Sequence, residues 1–167
     1  MVVRRSVVVL DTAALLSMQL ESLSDRLVTS RLVVEEVRYG NLSPERVEAA
    51  VEAGVLEVLQ PSGDAVGKIR ESAGETGDLL FLSDADVEVL ALAYEFMSRG
   101  YEVKIATDDY SVQNVALRLG IRVAGVRHPK IRKTVRWVIR CRRCGRKFKT
   151  FRRSCPFCGG EVARDAE

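Results

Sequence analysis

Several chemistries lack the residues they need in this chain of 167 residues. There is one histidine, His128, and it precedes a proline in a basic stretch, a setting that suits a surface or RNA-contacting residue better than a general base. There are four cysteines, all in paired knuckles, so none remains as a nucleophile. No G-x-G-x-x-G follows the first strand-like segment and no G-x-x-x-x-G-K occurs, which leaves a nucleotide cofactor unsupported. The most apolar N-terminal run, Val7 to Leu10, is far too short for a secretory signal or a membrane span. A cytoplasmic protein with no membrane partner is the expectation. Internal repeats and low-complexity segments are absent as well.

What remains is a regular alternation. Val7–Leu10, ending in Asp11, reads as a fully buried parallel strand, because such strands are continuous apolar runs. Helical spacing follows over 13–23. Leu27–Thr29 reads as a second strand, with Thr29 or Ser30 capping a helix that carries Val33, Val34 and Val37. A helix over 41–53 starts with Pro44 in its first turn and stops at Gly54. Val55–Leu59 is strand-like. Residues 62–78 hold four glycines and few large apolar side chains, which predicts one weak helix near 65–72 and a mobile loop. A strong helix begins at Leu82 and ends near Gly100. Val103–Ala106 forms a strand that runs into Asp108 and Asp109, a helix follows to Gly120, and Ile121–Val123 is a last strand. Alternating strands and helices predict an α/β sandwich with a mostly parallel sheet.

The net charge of +3 conceals a division. From Arg127 to the end there are 14 Lys and Arg against 3 Asp and Glu, while the preceding residues hold 12 basic and 20 acidic side chains. An acidic body with a basic tail points to a polyanion partner held by the tail. Trp137, Phe148 and Phe151, interleaved among the cations, suit stacking on bases.

Cys141-x-x-Cys144-Gly and Cys155-x-x-Cys158-Gly have the spacing of a four-thiolate zinc ribbon. Four protein ligands leave no open coordination position, so such a zinc is structural. A segment this small lacks sufficient core, and the metal would hold it folded. Nothing indicates the oxidising compartment that disulfides need.

Asp11, Glu36, Asp86, Asp108 and Asp109 come at matching places after strands or in the first turns of helices. Each has an ordinary explanation. Ser83-x-x-Asp86 fits a capping box, Asp109 fits an N-cap, and Glu35-Glu36 fits a solvated helix face. Together they could meet at one sheet edge, where crowded carboxylates repel unless a hard cation such as Mg²⁺ or Mn²⁺ sits between them. Cap or ligand stays open at this level.

The stretches VVVLDTAALL, LVVEEV, LSDADVEVLALA and KIATDDYSVQN resemble the four acidic motifs of PIN-domain nucleases. The DYSVQN wording together with the ribbon resembles the Nob-one endoribonucleases of small-ribosomal-subunit maturation, in their short archaeal form. The resemblance covers nearly the whole chain: a PIN-like nuclease body over 1–126, a basic linker over 127–140, and a ribbon with tail over 141–167. It implies a metal-dependent endoribonuclease that cleaves single-stranded precursor rRNA at the 3′ end of the small-subunit (16S) rRNA, leaving 3′-hydroxyl and 5′-phosphate ends. The expected partners are precursor rRNA and the small-subunit precursor. It implies Asp11, Glu36, Asp86 and Asp109 as Mn²⁺ or Mg²⁺ ligands, with Asp108 as a helper. Glu35 stands as an alternative to Glu36, and Asp84 to Asp86. RNA contacts are expected from Arg132, Lys133, Arg136, Trp137, Arg140, Arg142, Arg143, Lys147 and Lys149. Two other readings are a non-catalytic RNA-binding ribosome-assembly module on a PIN-like scaffold and a PIN toxin that cuts other RNAs. Against the toxin stands the tail, since such toxins usually lack a ribbon.

Overall fold

The computed structural model describes residues 6–40 and 43–167. Five parallel strands form the main sheet: β1 (Ser6–Leu10), β2 (Arg26–Ser30), β3 (Leu56–Leu59), β4 (Glu102–Ala106) and β5 (Arg122–Ala124), in the order β3-β2-β1-β4-β5. β1 is central and almost wholly buried, as its unbroken valine run requires. The chain first builds outward from β1 to β2 and β3, then returns to its other side with β4 and β5. That reversal makes the gap between the carboxyl ends of β1 and β4 a topological switch point, where open α/β sheets bind ligands. In register, Leu10 pairs with Ala106, so Asp11 and Thr107 leave the sheet side by side.

Helices α1 (Thr12–Ser17), α2 (Arg31–Tyr39), α3 (Pro44–Glu52), α4 (Gly63–Thr76), α5 (Asp84–Ser98) and α6 (Tyr110–Arg118) connect the strands. The helix expected over 13–23 stops at Ser17, and a separate 3₁₀ turn covers Leu20–Ser22. Arg46 of α3 donates to the carbonyls of Leu16 and Met18, which supplies the partners that another helical turn would have given. Of the helix expected over 41–53, α3 is the part observed; Asn41 and Leu42 lie outside the described residues.

The larger correction concerns the weak helix and mobile loop expected between Ser62 and Asp78. One 14-residue helix, α4, runs there instead, from an N-cap at Ser62 to a left-handed C-cap at Gly77. Its buried face is Ala65, Ile69, Ser72, Ala73 and Thr76. These positions have helical spacing, but only Ile69 among them is large and apolar, so the hydrophobic signal is muted. Small side chains let α4 lie close against α5, whose own buried face includes Ala85, Leu92, Ala93 and Phe96. Gly67 and Gly74 have no atom within 4 Å of where a Cβ would sit.

The tail forms a second, antiparallel sheet of β6 (Trp137–Cys141), β7 (Lys147–Phe148) and β8 (Val162–Ala166), in the order β7-β6-β8. Ile139, Cys141, Cys155 and Val162 make its small core. Thr134-Val135, a β-former in sequence, lies outside the sheet.

Candidate active site and its strap

Each candidate acid is set by local backbone chemistry. Asp11 caps α1, its Oδ1 accepting from Ala14 N–H at 2.7 Å, and its backbone N–H bonds Ala106 O across the switch point. Asp86 closes the capping box of α5, its Oδ2 accepting from Ser83 N–H and Ser83 Oγ, both at 2.8 Å. Asp109 caps α6 through Oδ1, which accepts from Ser111 and Val112 N–H. Its own N–H donates to Thr107 Oγ1 at 3.0 Å. Glu36 accepts a 2.6 Å hydrogen bond from Thr12 Oγ1, which ties α2 to the residue after Asp11.

Helix capping and ligation are therefore compatible, because a carboxylate has two oxygens. In Asp86 and Asp109 one oxygen holds a helix N-terminus, and none of these cap bonds uses the other. The cap removes rotational freedom from the side chain and so aims the second oxygen.

The acids feel one another. Burial pushes the Asp11 carboxyl above its ordinary range; the Thr107 hydrogen bond and the Ala14 N–H oppose this, and the charges of Asp86 and Asp108 add to it. Burial likewise raises Asp86 against its capping bonds, with the charges of Asp109 and Glu36 adding. The two alternative acids have other partners. Glu35 pairs with Arg31 at 2.8 Å and Asp84 with Arg70 at 2.7 Å. It is the charges of Glu36 and Asp109 that act on Asp86. No three acids among the described residues close to within the 4.8 Å that encompasses the four cysteine sulfurs, as expected of like charges in a partly desolvated edge. The donor set of carboxylates plus Thr107 is hard and oxygen-only, which fits Mg²⁺ or Mn²⁺ and not a thiophilic ion.

Asp108 has a different setting. Its carboxylate is cradled by three successive backbone N–H groups: Val126 (2.7 Å), Arg127 (2.9 Å to the nearer oxygen) and His128 (3.2 Å). Burial works against its charge, but those three donors together hold its pKa below the ordinary value. Two further side chains of the DYSVQN stretch act in the same way. Gln113 accepts from Ile131 N–H at 2.8 Å and donates to Thr107 O at 3.0 Å. Asn114 accepts from Val135 N–H at 2.7 Å and donates to Val135 O at 2.6 Å. Both are buried. Gln113 and Asn114 thereby clamp the basic segment against α6 as a strap. Extended pairing to a segment so distant in sequence leaves no local pattern to read.

The strap ends at a seam that joins the two sheets. Asp78, fully buried, pairs with Arg164 of β8 and accepts from Asn114 at 2.6 Å. The Arg164 guanidinium lies over Phe81 at 4.0 Å and over Trp137 at 4.2 Å. Gly77 is required here: its φ is +74°, and a Cβ would come within 2.2 Å of Trp137 O. Several cations expected to contact RNA are ion-paired within the ribbon: Arg136 and Lys147 with Glu167, Arg140 with Asp165, and Arg142 with Glu161. Arg143 donates to Cys158 O, and Arg132, Lys133 and Lys149 are exposed.

In the ribbon, the four sulfurs all lie within 4.8 Å of one another, with Cys141–Cys158 at 3.5 Å and Cys144–Cys155 at 3.6 Å. A tetrahedron with Zn–S of about 2.3 Å has S···S edges of about 3.8 Å, so the set fits one zinc. Gly145 and Gly159 have φ near +70° and turn each knuckle beneath the sulfurs. A Cβ on Gly160 would sit 3.1 Å from the Cys141 sulfur.

Residues 8–96 match the family model described as "PIN domain of ribonuclease". The chain is 44% identical over 107 residues to "Endoribonuclease Nob1" of Archaeoglobus fulgidus, covering 64% of this chain and 63% of that one. It is 38% identical over 136 residues to the protein of the same name from Pyrococcus abyssi, covering 80% of each. It is also 35% identical over 156 residues to "Ribonuclease VapC1" of Thermoplasma acidophilum, covering 93% of this chain and 76% of that one. An alignment over 93% of this chain extends into the basic tail. The match to the Archaeoglobus protein spans less than two thirds of its length. No helix among the described residues is long and apolar enough to cross a membrane. A parallel sheet with acids gathered at its switch point, a family model over more than half the chain, and Nob1 relatives at this identity place the chain in the PIN-domain ribonuclease family, alongside the archaeal Nob1 endoribonucleases.

Proposed function

We propose that the chain is a metal-dependent endoribonuclease that cuts single-stranded precursor rRNA at the 3′ end of the small-subunit rRNA. The observation that carries this reading is the crowding at the carboxyl edge of β1 and β4: burial and neighbouring charge both oppose ionisation of Asp11 and Asp86, and the charges acting on Asp86 are those of Asp109 and Glu36. Asp11, Glu36, Asp86 and Asp109 would hold Mn²⁺ or Mg²⁺, which supplies a nucleophilic water at neutral pH and offsets charge on the phosphate. Thr107 and Thr12 fix the orientation of Asp11 and Glu36, while the helix caps fix Asp86 and Asp109. In-line attack of water on phosphorus breaks the P–O3′ bond, leaving a 3′-hydroxyl and a 5′-phosphate. Arg132, Lys133, Arg143 and Lys149 hold the strand through its phosphates, with the ribbon's zinc serving only to fold it. Asp108 acts on the strap and not on the metal.

The test is cleavage of an RNA spanning the junction with Mn²⁺, comparing wild type with Asp11→Asn and Asp109→Asn. Wild type cuts at one site and each variant loses at least about a hundredfold in rate. Equal rates in all three remove the assignment. The relative named VapC1 favours a second reading, a ribonuclease acting on other RNAs. Preference for tRNA over the rRNA junction in the same assay selects it.

A further inference from the structure

The strap crosses α6 in three fixed steps, at Asp108, Gln113 and Asn114, and leaves a cavity of about 420 Å³ between itself and the first turn of the helix. Its walls are Tyr110, Pro129, Ile131, Val135 and Trp137, with Lys130 at the strap. Tyr110 directly follows Asp109, so one wall adjoins the acidic edge. Its side chain is 57% exposed, although it begins a helix whose next six residues are all buried.

We propose that this cavity is a subsite for one unstacked nucleobase of the RNA strand, next to the phosphodiester held at the acid edge. The inference rests on the nuclease reading above. Three features select a base over other occupants. The lining is mostly apolar and includes two aromatic rings, Tyr110 and Trp137, of the kind on which unpaired bases stack. The flanking cations, Arg127, Lys130, Arg132 and Lys133, match the phosphates on either side of a splayed base and disfavour a cationic or purely apolar partner. The one amide in the wall, Asn114, is fully engaged by Val135 and Asp78, so the cavity offers a stacking surface with little hydrogen-bond readout. Stacking of that kind tolerates any base, because every base has a π-face. The subsite therefore sets where the strand is cut relative to an unstacked nucleotide, more than which nucleotide it is. Asp108, Gln113 and Asn114 are positioning residues for it, since the strap they hold is one of its walls.

The experiment measures binding of a short single-stranded RNA by fluorescence polarisation, without added divalent ion, while a single abasic nucleotide is moved along the strand. Wild type loses affinity by about 5- to 100-fold when the abasic site falls at one position, and little elsewhere. Tyr110→Ala weakens binding of the intact strand by a similar factor and removes the sensitivity at that position. Tyr110→Phe keeps both, because the ring and not the hydroxyl does the stacking. Tyr110→Ala binding as tightly as wild type, or a flat abasic profile, overturns the proposal; either result fits a cavity used by a protein side chain instead. Wild type that binds RNA but never cuts it with Mn²⁺ defeats the nuclease reading while leaving the profile informative about the subsite.

Discussion

Replacing Asp78 with alanine removes the carboxylate from the seam and leaves the Arg164 guanidinium between Phe81 and Trp137 without its counter-charge. Asp78 is completely buried and Arg164 only 21% exposed, so solvent cannot take over the lost partner. Breaking one side of a buried pair costs about 3–5 kcal/mol. Without Asp78 the guanidinium keeps only its 3.2 Å hydrogen bond to Ser111 Oγ, and its Nε has no partner. Trp137 is the sole tryptophan and lies in the seam, so its fluorescence reports docking of the ribbon while far-ultraviolet dichroism reports the helical body. In wild type the two urea transitions coincide. In Asp78→Ala the fluorescence transition moves down by about 1.5–2.5 M, for a urea slope of about 2 kcal/mol/M, and precedes the loss of helix. Pairing it with Arg164→Ala completes the cycle, and the double variant costs much less than the sum of the two single ones. A fluorescence midpoint that moves by less than about 0.3 M refutes the seam as a buried ion pair.

Three other outcomes are expected. Asp11 has a folded pKa raised above its ordinary 3.8, so its cost is absent at pH below that value, grows as pH rises through the window between the two, and is complete above the folded pKa. Asp11→Asn keeps a capping oxygen, and so melts higher than wild type in metal-free buffer at pH 7 but not at pH 3; equal melting at pH 7 contradicts the crowding. Gly67→Ala, on the open face of α4, stabilises by about 0.5–1 kcal/mol, whereas Gly77→Ala destabilises by more than about 1 kcal/mol through its φ and its approach to Trp137 O. Denaturant melts of both variants read this directly. Cys144→Ser or exhaustive chelation removes about one zinc per chain and quenches or shifts Trp137 emission; metal analysis finding no zinc in carefully purified protein contradicts the ribbon.

The parts of the fold visible in sequence are those whose signal is local. The valine run of β1 marks a buried parallel strand, and Val103, Ile105 and Ala106 mark β4, in which Lys104 stays exposed. Ser83-x-x-Asp86 announces its capping box, and each C-x-x-C-Gly carries its own turn. α4 was obscured because its buried face is built from Ala, Ser and Thr, which pack through close approach and not through large apolar area. The strap was invisible for a different reason. Asp108, Gln113 and Asn114 bond backbone groups some 18 to 21 residues away, and a side chain's choice of distant backbone partner leaves no periodicity. The acidic edge was half legible. The resemblance to the acidic motifs implies Asp11, Glu36, Asp86 and Asp109, and the geometry adds that one oxygen of Asp86 and of Asp109 is committed to a helix N-terminus, which makes cap and ligand compatible rather than alternatives.

The most direct test of the acidic edge is a titration of the zinc-loaded full chain with Mn²⁺, followed by the electron paramagnetic resonance of the free ion. Wild type takes up Mn²⁺ at the edge, and Asp11→Asn and Asp86→Asn each weaken that uptake by at least about tenfold, while Asp108→Asn, which removes a neighbouring charge and no ligand, weakens it by less. Uptake that is the same in wild type, Asp11→Asn and Asp86→Asn would contradict a metal site at the carboxyl ends of β1 and β4.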